Sequence, residues 1–360
     1  MGVPCTDIAC PHCRRKLPPS FLELPNRIIS LVGAPSAGKS YYLCALIKTL
    51  PAALYKNFAL TFRDGDPSGN AYLNAMKNQL FSARSPSQAY ISKTDFEGAM
   101  YEKFPRHGKT VALPRPFVYA LAPLADAAQS VSLIFYDNAG EHFNPNISIE
   151  DSPGALHVAS SAGVLFLLDP TSSPAFRARL TDGTDPQLAI ASIDQQDSIL
   201  SEMAVRIRLI AGLDARARLE KPLALIIGKC DVWRHLLPAS SPLENPVRTG
   251  SGSSTGAGGG GAGGTAGVLD LDIVERNSET IRDFLLETDA AIVAAAESVS
   301  ANIRYFAVSS FDHSPVPIPD GPNAGKLAPD PVRLRPFQVE IPLLWVLAQT
   351  DPNLVPVCKN

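Results

Sequence analysis

The chain has 360 residues, of which 45% are hydrophobic and 19% charged, and its formal net charge is −3. This composition supplies a large core and excludes a wholly disordered chain, while the charge argues against a nucleic-acid binder with an overall positive surface. No apolar run approaches the ~18 residues of a membrane span, and the N-terminus lacks the apolar stretch of a secretory signal. Six cysteines are too few for a disulfide framework, so we expect a cytoplasmic protein.

The apolar pattern predicts alternating strands and helices over most of the chain. The predicted strands are Arg27–Val32, Pro116–Leu121, Val131–Tyr136, Val164–Leu168, Leu223–Ile227 and Arg304–Val308. The predicted helices are one from Lys39 that carries Leu43, Leu46, Ile47 and Leu50 on one face, and then Ala71–Phe81, Ile199–Leu213, Ile273–Val293 and Val339–Gln349. Such alternation favours an α/β domain with a mainly parallel sheet covered by helices on both faces.

The pattern also divides the chain. Residues 1–19 form a small head that contains three cysteines, and residues 20–360 form the main domain. Within that domain, residues 241–268 are predicted to be a flexible insertion, because its stretch 250–267 holds 10 of the 25 glycines and almost no apolar bulk. Residues 314–336 hold seven prolines and are predicted to be an irregular, largely extended connector.

The first predicted strand runs into the pattern G-x-x-x-x-G-K-[ST], and a predicted helix follows, which is the context of a phosphate-binding loop. Glycines at both ends let the backbone approach a phosphate, and the helix N-terminus attracts negative charge. The lysine reaches the β- and γ-phosphates, and the hydroxyl binds Mg²⁺. One departure is a proline, which supplies no N–H. The residues are Gly33, Ala34, Pro35, Ser36, Ala37, Gly38, Lys39 and Ser40.

Two more patterns follow predicted strands. Asp137-Asn-Ala-Gly140 gives a carboxylate suited to the Mg²⁺ shell and a glycine N–H for the γ-phosphate. Gly228-Lys229-Cys230-Asp231 resembles the guanine-reading [NT]-K-x-D motif of P-loop GTPases. The resemblance implies that Asp231 accepts from the N1–H and 2-amino group of guanine, both of which adenine lacks.

Together these residues resemble a P-loop GTPase of the Ras-like, translation-factor-related class. Asp137–Gly140 matches its D-x-x-G motif, and Lys229 and Asp231 match [NT]-K-x-D, although Gly228 stands where Asn or Thr is usual. Ser309-Ser310, after the last strand, is similar to the short loop that touches the base. The cysteine head, the insertion before Asp137 and the C-terminal Pro-Leu-Leu-Trp segment resemble the narrower bacterial "double-GTPase" group of conflict and defence systems.

The resemblance implies GTP and Mg²⁺ as ligands, slow GTP hydrolysis, the action of a switch, and a protein effector or activating partner. In the family the residue after the D-x-x-G glycine orients the attacking water. Here that position is Glu141, with His142 next, so both are catalytic candidates beside Lys39. The switch threonine is left open between Thr94 and Thr110. Two alternatives stay open as well: an ATP-using P-loop enzyme, which Gly228 favours, and a non-hydrolysing scaffold.

The cysteine head offers half of a zinc knuckle. Cys10-Pro-His-Cys13 places two thiolates on a tight turn, and Cys5 is a third candidate ligand, but no close fourth ligand is evident. A degenerate knuckle or free thiols therefore stand as the alternative to a Zn²⁺ site. Such a zinc site would be a docking element and not a catalyst.

Overall fold

The computed structural model describes residues 8–10, 16–91, 101–106, 109–138, 143, 154–180, 183, 185–190, 196–249 and 267–359. Within them the strands are β1 (Ile8–Ala9), β2 (Lys16–Leu17), β3 (Asn26–Gly33), β4 (Leu60–Asp64), β5 (Tyr101–Arg106), β6 (Lys109–Pro114), β7 (Pro116–Pro123), β8 (Val131–Asp137), β9 (Gly163–Leu168), β10 (Leu223–Ile227), β11 (Val247–Arg248), β12 (Val268–Asp270), β13 (Ile303–Ala307), β14 (Val316–Pro317), β15 (Leu327–Ala328) and β16 (Val357–Cys358). The helices are α1 (Ser20–Glu23), α2 (Lys39–Phe58), α3 (Ala71–Phe81), α4 (Pro86–Ala89), α5 (Gly154–Ser160), α6 (Pro174–Arg177), α7 (Pro186–Ile190), α8 (Gln196–Ala211), α9 (Cys230–Trp233), α10 (Leu271–Thr288), α11 (Ala290–Val299) and α12 (Ile341–Thr350).

A central sheet organises the main domain, with the strand order β13-β10-β9-β3-β8-β7-β4. The five strands from β13 to β8 are parallel to their neighbours, and β7 is antiparallel to both β8 and β4. The prediction of a mainly parallel sheet is therefore confirmed. β3 lies between β8 and β9, so the chain crosses over β3 between those two strands. In open α/β sheets a ligand crevice lies outside the carboxyl ends of the strands at such a crossover.

Alternate residues of each central strand pack on opposite faces, as the two-residue period of a strand requires. In β9, Leu165 and Leu167 join the core beneath α2 and α12, whereas Val164, Phe166 and Leu168 join the core beneath α5, α8, α10 and α11. The prediction of helices on both faces is confirmed. Burial on both faces also explains why these strands are apolar at almost every position.

Most predicted elements lie within a few residues of their observed bounds, and α3 and β10 match them. The predicted helix Ile273–Val293 is wrong as a single helix, because it is divided at Asp289, whose backbone angles are φ −155° and ψ 68°. The apolar pattern does not predict β4. Among the described strands, β4 pairs with β7 alone, at the edge of the sheet, and its sequence Leu-Thr-Phe-Arg-Asp shows no continuous apolar run.

The two stretches expected to be irregular contain short paired β-strands. In the predicted insertion 241–268, Val247 and Arg248 form β11, which is antiparallel to β12. In the connector 314–336, β14 and β15 form a short antiparallel hairpin. In the head, β1 is antiparallel to β2. None of the helices within the described ranges is both long and apolar enough to cross a bilayer.

Candidate functional site

The carboxyl ends of β3, β8, β9, β10 and β13 meet at one edge of the sheet and surround a cavity of about 400 Å³. Each strand delivers a predicted motif or its neighbour to this edge, because parallel strands all present their carboxyl ends on the same side. The predicted site residues that line the cavity are Ala34, Pro35, Ser36, Ala37, Gly38, Lys39, Ser40, Asp137, Lys229, Asp231, Ser309 and Ser310. Residues more than 270 positions apart in the sequence thus share one cavity.

The loop between β3 and α2 has the backbone conformation of an anion cradle. Ser36 has φ 66° and Gly38 has φ 91°, both in the left-handed region, and Gly38 directly precedes the first residue of α2. An added Cβ at Gly33 would lie 2.4 Å from the backbone oxygen of Leu167, so this position requires glycine. The loop lines the cavity, and the N-terminus of the 20-residue helix α2 follows directly, an arrangement that favours an anion.

Lys39 lies at the start of α2, where its Nζ donates to the backbone oxygens of Gly33 at 2.8 Å and Ala34 at 3.0 Å. These bonds fold the side chain back over the loop and place its ammonium group at the end of the cavity that the loop lines. The positive charge and the N-terminal dipole of α2 act in the same direction, so this end of the cavity favours an anion.

Ser40 and Asp137 line the same end of the cavity. Asp137 is the last residue of β8 and only 7% exposed, and its backbone oxygen accepts a hydrogen bond from Tyr101 Oη at 3.3 Å. A hydroxyl and a carboxylate are hard oxygen ligands of the kind Mg²⁺ prefers, with its remaining positions taken by water and phosphate. The donor set therefore fits a magnesium ion shared with a polyphosphate.

The opposite end of the cavity contains Asp231. Its Oδ1 accepts a 2.5 Å hydrogen bond from Ser309 Oγ, and its Oδ2 accepts a longer one of 3.4 Å from Gln187 Nε2. Loss of water on burial raises the pKa of the Asp231 carboxyl above its usual value, and the bonds from Ser309 and Gln187 oppose that rise. A carboxylate has about four lone-pair sites, so acceptor capacity remains on both oxygens.

Lys229 adopts a left-handed backbone conformation, with φ 54°, just before α9. Its Nζ contacts Asp169 Oδ2 at 2.7 Å and Thr171 Oγ1 at 3.2 Å. The ion pair fixes the end of the side chain at the carboxyl end of β9, and the lysine therefore lines the wall of the cavity.

Gly228 lines the cavity without a side chain. A Cβ added there would lie 3.2 Å from the backbone oxygen of Leu168 and 3.6 Å from Leu167 Cδ1, so a side chain would be tight but not excluded. The backbone of Gly228 is fixed on both sides, since its N–H donates to Leu168 O and its oxygen accepts from Trp233 Nε1.

Several residues of this cavity carry little or no sequence signal. The sequence predicts a turn at Asp169 that lines the cleft, and Asp169 does line the cavity, but no pattern predicts its contacts. Asp169 holds Lys229 and is bonded through its backbone to the buried side chain of Gln196. The one signal for Asp169 is its place directly after a buried strand, and Gln187 has no signal at all. The other lining residues that sequence reasoning missed include Tyr41, Tyr90, Ile91, Phe311, Lys326 and Pro329.

An aromatic wall closes the side of the cavity. The rings of Tyr41 and Phe311 meet edge to face with centroids 4.9 Å apart, and Tyr41 Oη accepts the backbone N–H of Ile91. Burial raises the pKa of Tyr41 to about 12, so its hydroxyl stays protonated. Across the opening, Lys326 Nζ lies 5.1 Å from the centre of the Tyr90 ring. The Pro-rich connector, which carries Lys326, thus contributes to the cavity.

Several predicted residues lie outside the described residues: Cys5, Cys13, Thr94, Gly140, Glu141 and His142. Cys10 follows β1 and is half-buried. The described residues contain no cluster of three or more His, Cys, Asp or Glu side chains able to hold a metal. Thr110 is exposed on β6 opposite Pro105 and does not line the cavity, so its position gives no support to a switch role.

No protein-family model matches the chain, and no curated protein matches it. Solved structures similar to it include Sup35 complexed with GDP, at 10% identity over 80% of this chain and 38% of that chain, with a TM-score of 0.26. The GTPase-like domain of S. cerevisiae Ski7 bound to GTP is similar at 14% identity, over 84% of this chain and 49% of the Ski7 chain, with a TM-score of 0.30. A point variant of SsGBP is similar at 8% identity, over 81% of this chain and 52% of the SsGBP chain, with a TM-score of 0.25. The chain spans about half or less of these structures, and the chemistry of the site rests on its own residues.

Proposed function

We propose that the chain binds GTP with Mg²⁺ and hydrolyses it slowly, acting as a molecular switch that a protein partner reads or activates. The observation that carries the proposal is that one cavity of about 400 Å³ is lined by residues from each of the four strand-end motifs, with Asp137 the one from D-x-x-G. Lys39 and the start of α2 lie at one end, and Asp231 with Ser309 lies at the other. A nucleoside triphosphate has the matching polarity, with an anionic tail and a base that carries hydrogen-bond donors.

In this proposal each end of the cavity has a separate role. Lys39 and the loop N–H groups bind the β- and γ-phosphates, and Ser40 and Asp137 hold Mg²⁺, which neutralises phosphate charge when bound. Asp231 accepts from the guanine N1–H and 2-amino group. Ser309 donates to the same carboxylate and keeps its plane fixed. Lys229, held by Asp169, places its aliphatic stem along the base.

The switch part of the proposal rests on where the predicted catalytic positions fall in the sequence. Glu141 and His142 follow Asp137 by four and five positions, so they belong to the segment that leaves the phosphate end of the cavity. Segments of this kind are ordered by a γ-phosphate and released after hydrolysis. Membership of the bacterial double-GTPase group is a further part of the proposal, and it is supported by the sequence features alone.

The alternative of an ATP-using enzyme is favoured by one observation, the absence at Gly228 of the Asn or Thr side chain that the guanine motif has there. Asp231 opposes it, because the Watson–Crick edge of adenine offers no pair of donors to a carboxylate and leaves the buried oxygens partly unpaired. Equilibrium titration of the purified full chain with GTP and ATP in the presence of Mg²⁺ distinguishes the two. We expect tighter binding of GTP, and equal or tighter binding of ATP would overturn the guanine assignment.

A further inference from the structure

One side chain at the base end of the cavity has no counterpart in the motifs. Gln187 comes from α7, between β9 and α8, and is only 8% exposed. Its Nε2 lies 3.4 Å from Asp231 Oδ2, and the residue lines the same cavity as Lys229 and Ser309. A buried carboxamide beside a buried carboxylate is costly unless its polar atoms find partners, so its contacts bear directly on what the cavity accepts.

The backbone around Gln187 is fixed from two directions. Asp185 Oδ1 accepts the N–H of Gln187 at 2.9 Å, and its backbone oxygen accepts the N–H of Leu188 in the same short helix. The other carboxylate oxygen of Asp185 accepts a hydrogen bond from the hydroxyl of Ser314, at the start of the Pro-rich connector. Gln187 is therefore held at the cavity by two separate segments of the chain.

The donors and acceptors of Gln187 are only partly used. One N–H of the carboxamide is directed at Asp231, and Oε1 accepts no hydrogen bond from any residue in the described part of the chain. That oxygen and the second N–H are thus available to a ligand. Gly228 lines the same cavity without a side chain, and Gln187 is a carboxamide in contact with the carboxylate that would read the base.

The chemistry of a guanine base fits this arrangement. Its 2-amino group has two N–H donors, and a carboxylate that also binds N1–H takes only one of them. An acceptor beside the carboxylate is needed for the other. Hypoxanthine has the same N1–H and the same 6-oxygen but no 2-amino group, so it makes no use of such an acceptor.

We propose that Gln187 is a specificity-determining residue of the nucleotide site, whose Oε1 accepts the second proton of the guanine 2-amino group while its Nε2 donates to Asp231. This inference rests on the proposed binding of GTP. It assigns to α7 a role in base recognition that none of the four sequence motifs contains.

The test compares GTP with inosine triphosphate, which lacks only the 2-amino group. The full-length protein, Gln187→Met and Gln187→Ala are titrated with both nucleotides in the presence of Mg²⁺. Gln187→Met keeps the length of the side chain and removes the carboxamide. Gln187→Ala also removes the carboxamide but has no thioether, so an effect seen in both variants is not caused by the sulfur. Gln129→Met is the matched control, because Gln129 is exposed and lies just before β8, at the opposite edge of the sheet.

We expect both Gln187 variants to bind GTP about 5-fold more weakly, the effect of one hydrogen bond of about 1 kcal/mol, and to bind inosine triphosphate within about 2-fold of the unmodified protein. The ratio of GTP affinity to inosine triphosphate affinity therefore falls by several-fold in both Gln187 variants, whereas Gln129→Met leaves this ratio unchanged. An unaltered preference in both Gln187 variants would overturn the inference. Tighter binding of both nucleotides would also overturn it, because Gln187 would then obstruct the base. If the unmodified protein itself fails to prefer GTP to ATP, the proposed function fails and not this inference alone.

Discussion

Ser309 and Asp231 lie 78 positions apart in the chain, and the hydroxyl of Ser309 donates to Asp231 Oδ1 at 2.5 Å. The direction of this bond follows from the ionised carboxylate, which has no proton to donate, and Ser309 Oγ in turn accepts the backbone N–H of Asp312 at 2.8 Å. The hydroxyl proton is thus left for the carboxylate. β10 and β13 are neighbours in the sheet, so the loop that follows one strand orients the carboxylate that follows the other.

Asp231→Asn should weaken GTP binding on the order of 10²-fold or more, with a much smaller effect on ATP. The amide presents a donor where the guanine N1–H and 2-amino group need acceptors, and ATP makes no such pair of bonds. Binding titrations with both nucleotides measure this difference. Asp320→Asn, in an exposed part of the connector, is the control. An equal loss for GTP and ATP would favour the ATP-using enzyme instead.

The preference for GTP should also fall as the pH is lowered. Burial raises the pKa of the Asp231 carboxyl, and guanine donors pair with its ionised form. As the pH falls through this raised pKa, the carboxyl of the free site takes up a proton that GTP must displace. GTP affinity therefore declines at a higher pH than it would if Asp231 had the ordinary aspartate pKa of about 3.9.

The ratio of GTP to ATP affinity between about pH 7.5 and 4.5 is the measurement, because titration of the phosphates affects both nucleotides and cancels in the ratio. Asp231→Asn should flatten the profile. A ratio that stays constant in the unmodified protein, or that rises as the pH falls, would contradict the expected direction.

Lys39→Ala should lower GTP affinity about 10²-fold and leave the melting temperature nearly unchanged. The ammonium group is a charge-assisted donor at the phosphate end, whereas the side chain is half-buried and belongs to neither apolar core. Lys56→Ala, in the last turn of the same helix and exposed, is the matched control. Calorimetric titration and thermal melting separate the two effects. Retained GTP affinity in Lys39→Ala would remove the basis of the phosphate assignment.

The end of the cavity lined by the β3–α2 loop is predictable from the sequence because the information for it is local. A contiguous loop between an apolar strand and an amphipathic helix carries Gly33, Gly38 and Lys39, and the parallel strands bring the later motifs to the same edge. The base end depends on contacts that no local pattern shows. Gln187 reaches Asp231 across 44 positions, from a short helix without apolar periodicity.

The errors in secondary structure have similar physical causes. The apolar positions of α10 and α11 continue past Asp289, and only the backbone angles of that residue separate the helices. β4 lies at the edge of the sheet, and half-exposed edge strands lack the continuous apolar signal of β9 or β10.

Removal of the glycine-rich part of the insertion should be nearly silent. Arg248 pairs with Val268, so the two ends of the segment are already adjacent in an antiparallel pair. Replacement of residues 250–266 by Asn-Gly leaves a short hairpin connection. The shorter loop lowers the entropic cost of loop closure, and with it the free energy of folding, by about 1 kcal/mol. We expect an unchanged or slightly higher melting temperature and unchanged GTP affinity. A large fall in either quantity would show that the removed residues contribute to folding or to the site.

The last prediction concerns the rate of hydrolysis. Glu141 stands at the position that orients the attacking water in the GTPases that the sequence resembles, four residues after the carboxylate that ends β8. An ionised carboxylate repels the γ-phosphate and has no proton to donate, and the loose transition state of phosphoryl transfer offers little driving force for a general base. Turnover without a partner should therefore be at or below ~10⁻⁴–10⁻² s⁻¹, the range seen when no arginine is supplied in trans.

Single-turnover hydrolysis of GTP by the purified protein measures this rate, with Glu141→Gln and His142→Ala measured beside it. We expect Glu141→Gln to be as fast as the unmodified protein or faster, because a neutral carboxamide orients water without repelling the phosphate. His142→Ala should have little effect on the unaided rate, since we expect His142 to contribute only after a partner repositions the segment. Fast unaided turnover that collapses in Glu141→Gln would show instead that the Glu141 carboxylate takes part in the chemical step.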